Sequence, residues 1–263
     1  MKLSIITVNY NNALGLQKTI DSVVNQVSQN YEFIIIDGGS SDGSVEVIKK
    51  YDDKIHYWVS ERDGGIYYGM NKGIVRATGE YILFLNSGDY LRDSKVVKKI
   101  NSFLLETDFV VFRQMYINKK KHLSISPRLF SSEIETGFFM SSVFPHQATL
   151  IKKTIFDRVG FYRTDLCIVS DWAFWFEAVI KYNATYHFYD YSISIMECGG
   201  LSSDIEKCQI EMSVVAKEMM DEGFLTWKDI FSLASNSRRC QFAERNWFSR
   251  FLFKIAIYFG KRI

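Results

Sequence analysis

Phe33-Ile34-Ile35-Ile36-Asp37-Gly38-Gly39-Ser40 is an apolar run that stops on a carboxylate, two glycines and a hydroxyl. Such a run, rich in β-branched residues and bounded by turn formers, predicts a short buried strand. The same change of character recurs three times in the first ninety residues. Leu3 to Val8 leads into Asn9-Tyr10-Asn11-Asn12, Ile55 to Val59 into Ser60-Glu61-Arg62-Asp63-Gly64-Gly65, and Tyr81 to Leu85 into Asn86-Ser87-Gly88-Asp89. Helical spacing fills the intervals: Leu16, Ile20, Val23, Val24 and Val27 mark one helix, and Asp42, Val45, Val47 and Ile48 begin a second. Ile66 to Ala77 predicts a third and Asp93 to Leu105 a fourth. This alternation predicts an α/β fold in which helices cover both faces of a parallel sheet. Ligands of such sheets bind beyond the carboxyl ends of the strands, so the four polar clusters mark a site.

Composition narrows the function classes. At 263 residues and 47% hydrophobic content the chain can bury one large core with a small appendage, and a net charge of +2 gives no argument for nucleic acid. Cys167, Cys198, Cys208 and Cys240 form no C-x-x-C pair and no Cys/His metal spacing, which predicts free thiols in a reducing compartment. Met1-Lys2 runs straight into an apparent strand, so a cytoplasmic protein is expected, not a secreted one. From Phe109 to Ile125 the pattern turns to longer strand-like stretches, with 118–121 as an exposed turn. The first 200 residues read as one domain.

The strand-end clusters suit some ligands and not others. The segment from Ile36 to Gly43 lacks the G-x-G-x-x-G spacing of a dinucleotide fold, and no G-x-x-x-x-G-K-[ST] phosphate loop occurs. A carboxylate at a strand end can accept hydrogen bonds from a nucleobase or ribose while glycines let the backbone approach. Asp37 is placed for that role, although Asp37 and Asp42 are equally residue types that cap a following helix. Asp89 is a candidate ligand for a hard divalent cation that neutralises a diphosphate, or else a turn residue.

These segments together resemble the family 2 glycosyltransferases of the GT-A fold. The resemblance rests on Thr7-Val8-Asn9-Tyr10-Asn11, Asp37 to Gly43, Ser60 to Tyr67, Met70-Asn71-Lys72-Gly73 and Ala77 to Asp89, in that order. It continues through Pro145-His146-Gln147-Ala148-Thr149-Leu150, Val159 to Tyr162, Ser170 to Trp175 and Gly199 to Ser203. It implies a Rossmann-like mixed sheet flanked by helices, with a catalytic domain over 1–203 and a C-terminal helical extension over 204–263. The first 110 residues would form the nucleotide-binding half and 111–203 the acceptor half.

The resemblance also implies roles. Asp37 and Asp63 would hold the base and ribose of a sugar nucleotide, commonly UDP, in a pocket completed by Thr7, Val8 and Asn9. Gly65, Asn71, Lys72, Asn86, Ser87 and His146 would join the substrate site. Asp89 would be the ligand of Mn2+ or Mg2+, standing alone because Gly88 replaces a second Asp found in many relatives. Asp171 would be the catalytic base of an inverting transfer from a nucleotide-sugar donor to a polysaccharide or lipid-linked saccharide acceptor of bacterial type. On residue type alone, Ser170 and Asp171 could instead cap the helix of Trp172, Phe174, Phe176, Val179 and Ile180. His146 could simply pack, and Trp172 and Trp175 could stack on a sugar or fill the core.

A sugar-nucleotide nucleotidyltransferase uses a similar sheet but opens with a Gly-rich, Arg-containing loop, where this chain has Asn9 to Asn12. A non-catalytic nucleotide-binding assembly subunit is the other alternative. Residues 238–263 contain seven Lys or Arg against Glu244 alone, with Phe248, Phe251, Leu252, Ile255 and Phe259 on a broad face opposite Arg250, Lys254 and Lys261. That pattern predicts a helix that lies on the inner face of the cell membrane, or packs on the catalytic domain or on a second copy of the chain.

Overall fold

A computed structural model describes residues 3–103, 105–117, 122–125, 144–197 and 204–226. β1 (Leu3–Asn9), β2 (Tyr31–Asp37), β3 (Tyr57–Ser60) and β4 (Tyr81–Phe84) pair in parallel in the order β3-β2-β1-β4. All four predicted strands are present. β3 starts two residues later than its apolar run, because Asp52–Lys54 forms a single 3-10 turn that delivers Ile55 to the core. β1, β2 and β4 are buried at every position, as strands covered on both faces must be, whereas β3 is half-buried because it is an edge.

The four predicted helices are α1 (Ala13–Val24), α2 (Ser44–Lys49), α3 (Ile66–Arg76) and α4 (Val96–Ile100). α4 is shorter than expected: the Asp93 carboxylate accepts the Lys95 N–H at 2.8 Å and holds residues 93–95 in a turn ahead of the helix. Asn12 caps α1 by accepting the Gly15 N–H at 3.1 Å. Asp42 proves to be structural. It takes the Ala13 N–H at 2.8 Å and the Ser44 hydroxyl at 2.6 Å, pinning the starts of α1 and α2 together.

Past β4 the sheet changes direction. β5 (Tyr90–Leu91), β6 (Phe109–Ile117), β7 (Leu123–Ile125), β8 (Thr149–Lys152) and β9 (Tyr186–Glu197) extend it in the order β4-β8-β6-β9-β5, with β7 against β6. β8 is antiparallel to both β4 and β6, β6 runs parallel to β9, and β5 antiparallel to β9. The sheet is therefore mixed. The tip of the β6–β7 hairpin, 118–121, lies outside the described residues.

Alternation along the strands sorts the core into two layers. Leu3, Ile5, Phe33, Ile35 and Leu83 meet α1, α2 and α4 on one face. Ile6, Val8, Ile34, Ile36 and Phe84 meet α3 and two later helices, α6 (Ser170–Ile180) and α7 (Ile205–Asp221), on the other. A short helix, α5 (Ile155–Val159), leads from β8 toward α6. Burying a side chain such as Phe33 contributes about 1.5–3 kcal/mol. α3 lies close on β1 because Gly69 and Gly73 face it, and a Cβ at either would sit 2.7 Å from Val8 Cγ1 or 2.5 Å from Ile6 Cγ2. Trp172 and Trp175 are buried in this second layer, so they are core residues and not a sugar-stacking platform. α7 adds Val215, Ala216 and Met219 to the same layer.

Candidate active site

The parallel strands end together, and their terminal loops are tied to one another. The Gly38 N–H donates to the Asn9 carbonyl at 2.9 Å, Glu61 N–H to the Asp37 carbonyl at 3.0 Å, and Ser87 N–H to the Val8 carbonyl at 3.1 Å. Thr7 is fully buried, and its hydroxyl donates to the Leu85 carbonyl at 2.8 Å. The Thr19 hydroxyl of α1 holds the loop after β4 by accepting the Gly88 N–H at 3.0 Å and donating to the Asp89 carbonyl at 2.6 Å. Ser87 is held in turn by Asn12 Nδ2, at 3.0 Å from its carbonyl.

Asp37 is fully buried at the hub of these loops. Oδ1 accepts from Asn9 Nδ2 at 2.7 Å and the Ser40 hydroxyl at 2.6 Å; Oδ2 accepts from the Ser40 N–H at 2.9 Å and the Ser60 hydroxyl at 2.6 Å. Burial alone would raise its pKa, but the donors on Ser40, Ser60 and Asn9 hold it below the ordinary carboxylate value. With about four acceptor positions taken, this carboxylate is engaged by the protein and fixes the tips of β1, β2 and β3. Asn9 is nearly fully buried, and its Oδ1 has no partner among the described residues. Asp63 stands beside this hub: its Oδ1 accepts the Gly65 N–H at 3.0 Å and lies 3.3 Å from where a Cβ on Gly38 would sit. Gly65 opens α3 at φ 129, a conformation that glycine adopts at little cost.

A second group links the loop after β4 to α6. Asn86 Nδ2 lies 3.2 Å from His146 Nε2, and His146 Nδ1 lies 3.1 Å from Asp171 Oδ2. With Asn86 donating to Nε2, the imidazole proton sits on Nδ1 and is given to Asp171. Burial lowers the His146 pKa, yet the hydrogen bond and charge of Asp171, with the charge of Asp89, outweigh it and leave the value raised. Asn86 Oδ1 is buried without a partner; turning the amide would offer it to an imidazolium Nε2–H, so the pair accommodates either state.

Asp171 sits in the first turn of α6. Oδ1 accepts from the Trp172 N–H at 2.8 Å and lies 3.1 Å from the Tyr67 hydroxyl, whose single proton is shared between Oδ1 and the nearer Ile168 carbonyl at 2.6 Å. Oδ2, bonded among the described residues to His146 alone, keeps an acceptor position open. Asp171 thus does locally what a helix-capping residue does and still keeps an oxygen for chemistry. Tyr67 went unassigned in the sequence, although it stands inside the segment Ser60 to Tyr67. Burial and the Asp171 charge hold its phenol well above the ordinary value, making it a permanent donor.

Asp89 is almost completely buried. Burial pushes its carboxyl up to about 7, against the opposing effects of His146, the Glu197 backbone amide and Lys18. Lys18 is itself paired with Glu197. A buried carboxylate whose neighbouring lysine is committed elsewhere fits a single-carboxylate cation site. Among the described residues no group of three or more His, Cys, Asp or Glu could hold a metal by itself.

Two expected site residues point elsewhere. Asn71 spends its amide on the backbone of Tyr162, donating to the carbonyl at 2.8 Å and accepting the N–H at 3.0 Å. Lys72 pairs with Glu61 at 2.9 Å, and both line a groove of about 420 Å³ between β3 and α3 with Tyr57 and Tyr68. The cause is helical phase. Tyr67 and Met70 face inward on α3, which turns Lys72 outward.

Residues 4–182 match the family model described as glycosyl transferase family 2. The chain belongs to that family. This family 2 glycosyltransferase is 31% identical over 186 residues to an uncharacterised glycosyltransferase of Mycobacterium tuberculosis, an alignment covering 68% of this chain and 69% of that one. A PGL/p-HBAD biosynthesis glycosyltransferase of Mycobacterium bovis is 25% identical over 181 residues, covering 65% and 67%. Among solved structures, S. aureus TarS in complex with UDP superposes with a TM-score of 0.69 at 19% identity, covering 94% of this chain and 74% of that one. The mannosyltransferase PcManGT of Pyrobaculum calidifontis, in complex with GDP-Man and Mn2+, gives 0.63 at 13% identity, covering 97% and 86%. The family 2 glycosyltransferase therefore has the GT-A fold.

Proposed function

We propose that this glycosyltransferase moves a sugar, with inversion, from a UDP-sugar to a hydroxyl of a saccharide or lipid-linked saccharide. The observation that carries the reading is the chain of contacts from Asn86 through His146 to Asp171, which sets a helix-borne carboxylate beside the strand-tip loop that holds Asp89. The TarS complexes with UDP and UDP-GlcNAc support the donor class.

In this reading the acceptor hydroxyl donates to Asp171 Oδ2. As its oxygen bonds to the anomeric carbon, the proton passes to the carboxylate, and the bond from that carbon to the diphosphate breaks with its electron pair leaving on the nucleoside diphosphate. Tyr67 occupies Oδ1 and so directs the proton to Oδ2. His146 keeps Oδ2 aimed while Asn86 anchors the imidazole. A divalent cation, Mn2+ or Mg2+, held by Asp89 with diphosphate and water oxygens, would offset charge on the leaving group. Asp63 and the unpartnered Asn9 Oδ1 stand at the nucleoside end of the cleft.

Calorimetry with UDP, GDP, CDP and TDP, with and without Mn2+, tests this directly. UDP should bind selectively, and should weaken at least tenfold on chelation or in Asp89→Asn. A folded protein that binds none of the four would overturn the reading. Peripheral contact of 238–263 with the cytoplasmic face of the membrane belongs to the same proposal. Those residues lie outside the described ones, among which no helix is long and apolar enough to cross a membrane. Deleting the chain after Arg245 should abolish sedimentation with anionic liposomes.

A further inference from the structure

Three consecutive backbone N–H groups just ahead of α6 point into one side chain. Cys167 N–H donates to Glu211 Oε1 at 2.9 Å, and Ile168 and Val169 N–H donate to Oε2 at 2.9 and 3.1 Å. The next residues are Ser170 and Asp171. We propose that Glu211 is a positioning residue for Asp171, acting through the backbone of 167–169; the inference rests on Asp171 being the base.

The geometry separates this contact from ordinary capping. Val169, the residue that flanks α6, makes no side-chain cap, and the Trp172 N–H is met by Asp171 itself. The carboxylate that gathers the three amides comes instead from a helix forty residues downstream. Hydrogen bonds to an ionised group are about twice as strong as neutral ones, and three converging amides form an anion-binding concavity. Ile168 is held through both of its backbone polar groups, its N–H by Glu211 and its carbonyl by Tyr67. Tyr67 also touches Asp171 Oδ1. The two contacts clamp the segment from opposite sides and leave the base little freedom to tilt.

Glu211 is carried on a helix packed into the core. α7 is fastened to the same region by Arg163 with Glu218 and by Lys181 with Glu222 at 2.6 Å, and it buries Val215, Ala216 and Met219. The family match ends at residue 182, so the clamp comes from a part of this chain that the family pattern does not include. A general base displaced by about 1 Å loses on the order of a hundredfold in rate.

A double-mutant cycle on the full-length protein tests the proposal. The readouts are UDP release from UDP-N-acetylglucosamine, UDP binding by calorimetry, the thermal midpoint, and backbone hydrogen exchange. Glu211→Gln replaces one acceptor oxygen by an amide facing N–H donors. It should lower kcat about 10- to 100-fold, leave KM for the donor and Kd for UDP within twofold, and speed exchange at 167–169. Combined with Asp171→Asn it should be no slower than Asp171→Asn alone, because both act through one carboxylate. Should Glu211→Gln melt early, Glu211→Asp keeps the charge but shortens the reach and should show the same split, about tenfold.

Full kcat in Glu211→Gln, an additive double variant, or kcat falling only in step with UDP binding would each overturn the role of Glu211 while Asp171→Asn stays inactive. Undiminished turnover in Asp171→Asn would overturn the base assignment itself. Unchanged exchange at 167–169 would remove the clamp without reference to any donor.

Discussion

Two carboxylates, Asp37 and Asp171, show how burial and partners decide what one residue type does. Asp171 keeps an open oxygen, so Asp171→Asn should lower kcat by about 10²–10⁴ with nucleotide binding unchanged by calorimetry. Asp37 has no open position, and its replacement should act on stability. Asp37→Asn turns an acceptor into a donor facing the Ser40 and Ser60 hydroxyls, at an expected cost of about 2–4 kcal/mol in urea unfolding. The pH dependence follows from the lowered pKa. The contribution of Asp37 is fully present above its ordinary value of 3.8 and is lost as pH falls through the lower folded value, so wild type and Asp37→Asn should converge in stability at strongly acid pH. At this scale the sequence was partly legible. Asp89, Asp171 and His146 could be named as candidates from their segments, and the contact between His146 and Asp171 brings two of those segments together. The full engagement of Asp37 could not, because Ser60 becomes its partner only once β2 and β3 are in register.

Elements were legible where period and punctuation agree, as in β1, β2, β4 and α3. They were not where pairing is remote: β9 runs for twelve residues beside β6, yet no single stretch of its sequence dictates that partner. The closeness of α3 to β1 gives an element-scale prediction. Gly69→Ala and Gly73→Ala would each gain about 1 kcal/mol of helix propensity. The new Cβ would nevertheless meet Val8 or Ile6 well inside contact distance, and both of those side chains are buried. Overpacking of about 1–3 kcal/mol should exceed the gain, so urea midpoints should fall for both variants. The pairing of Lys72 with Glu61 has the same origin in helical phase, since a motif fixes the order of residues but not the direction in which each one faces.

For the molecule as a whole, the expected boundary at residue 203 meets a core that continues into α7. A chain ending at 203 would expose the partners of Val215, Ala216, Met219 and Leu225, all nearly fully buried. Such a chain should lose its cooperative thermal transition, whereas one ending at 226 should keep it; differential scanning calorimetry distinguishes the two. The antiparallel insertion of β8 beside β4 has a further consequence, which lies in time. During synthesis β1 to β4 can pair once residue 84 has emerged, but the neighbour that closes the outer edge of β4 begins at Thr149. At about 5–20 residues per second, that edge waits roughly 3–13 seconds with its amides and carbonyls unpaired. The nascent protein is therefore most exposed to sticking to its neighbours during the interval in which its strand tips already stand together and Asp171 has yet to be made.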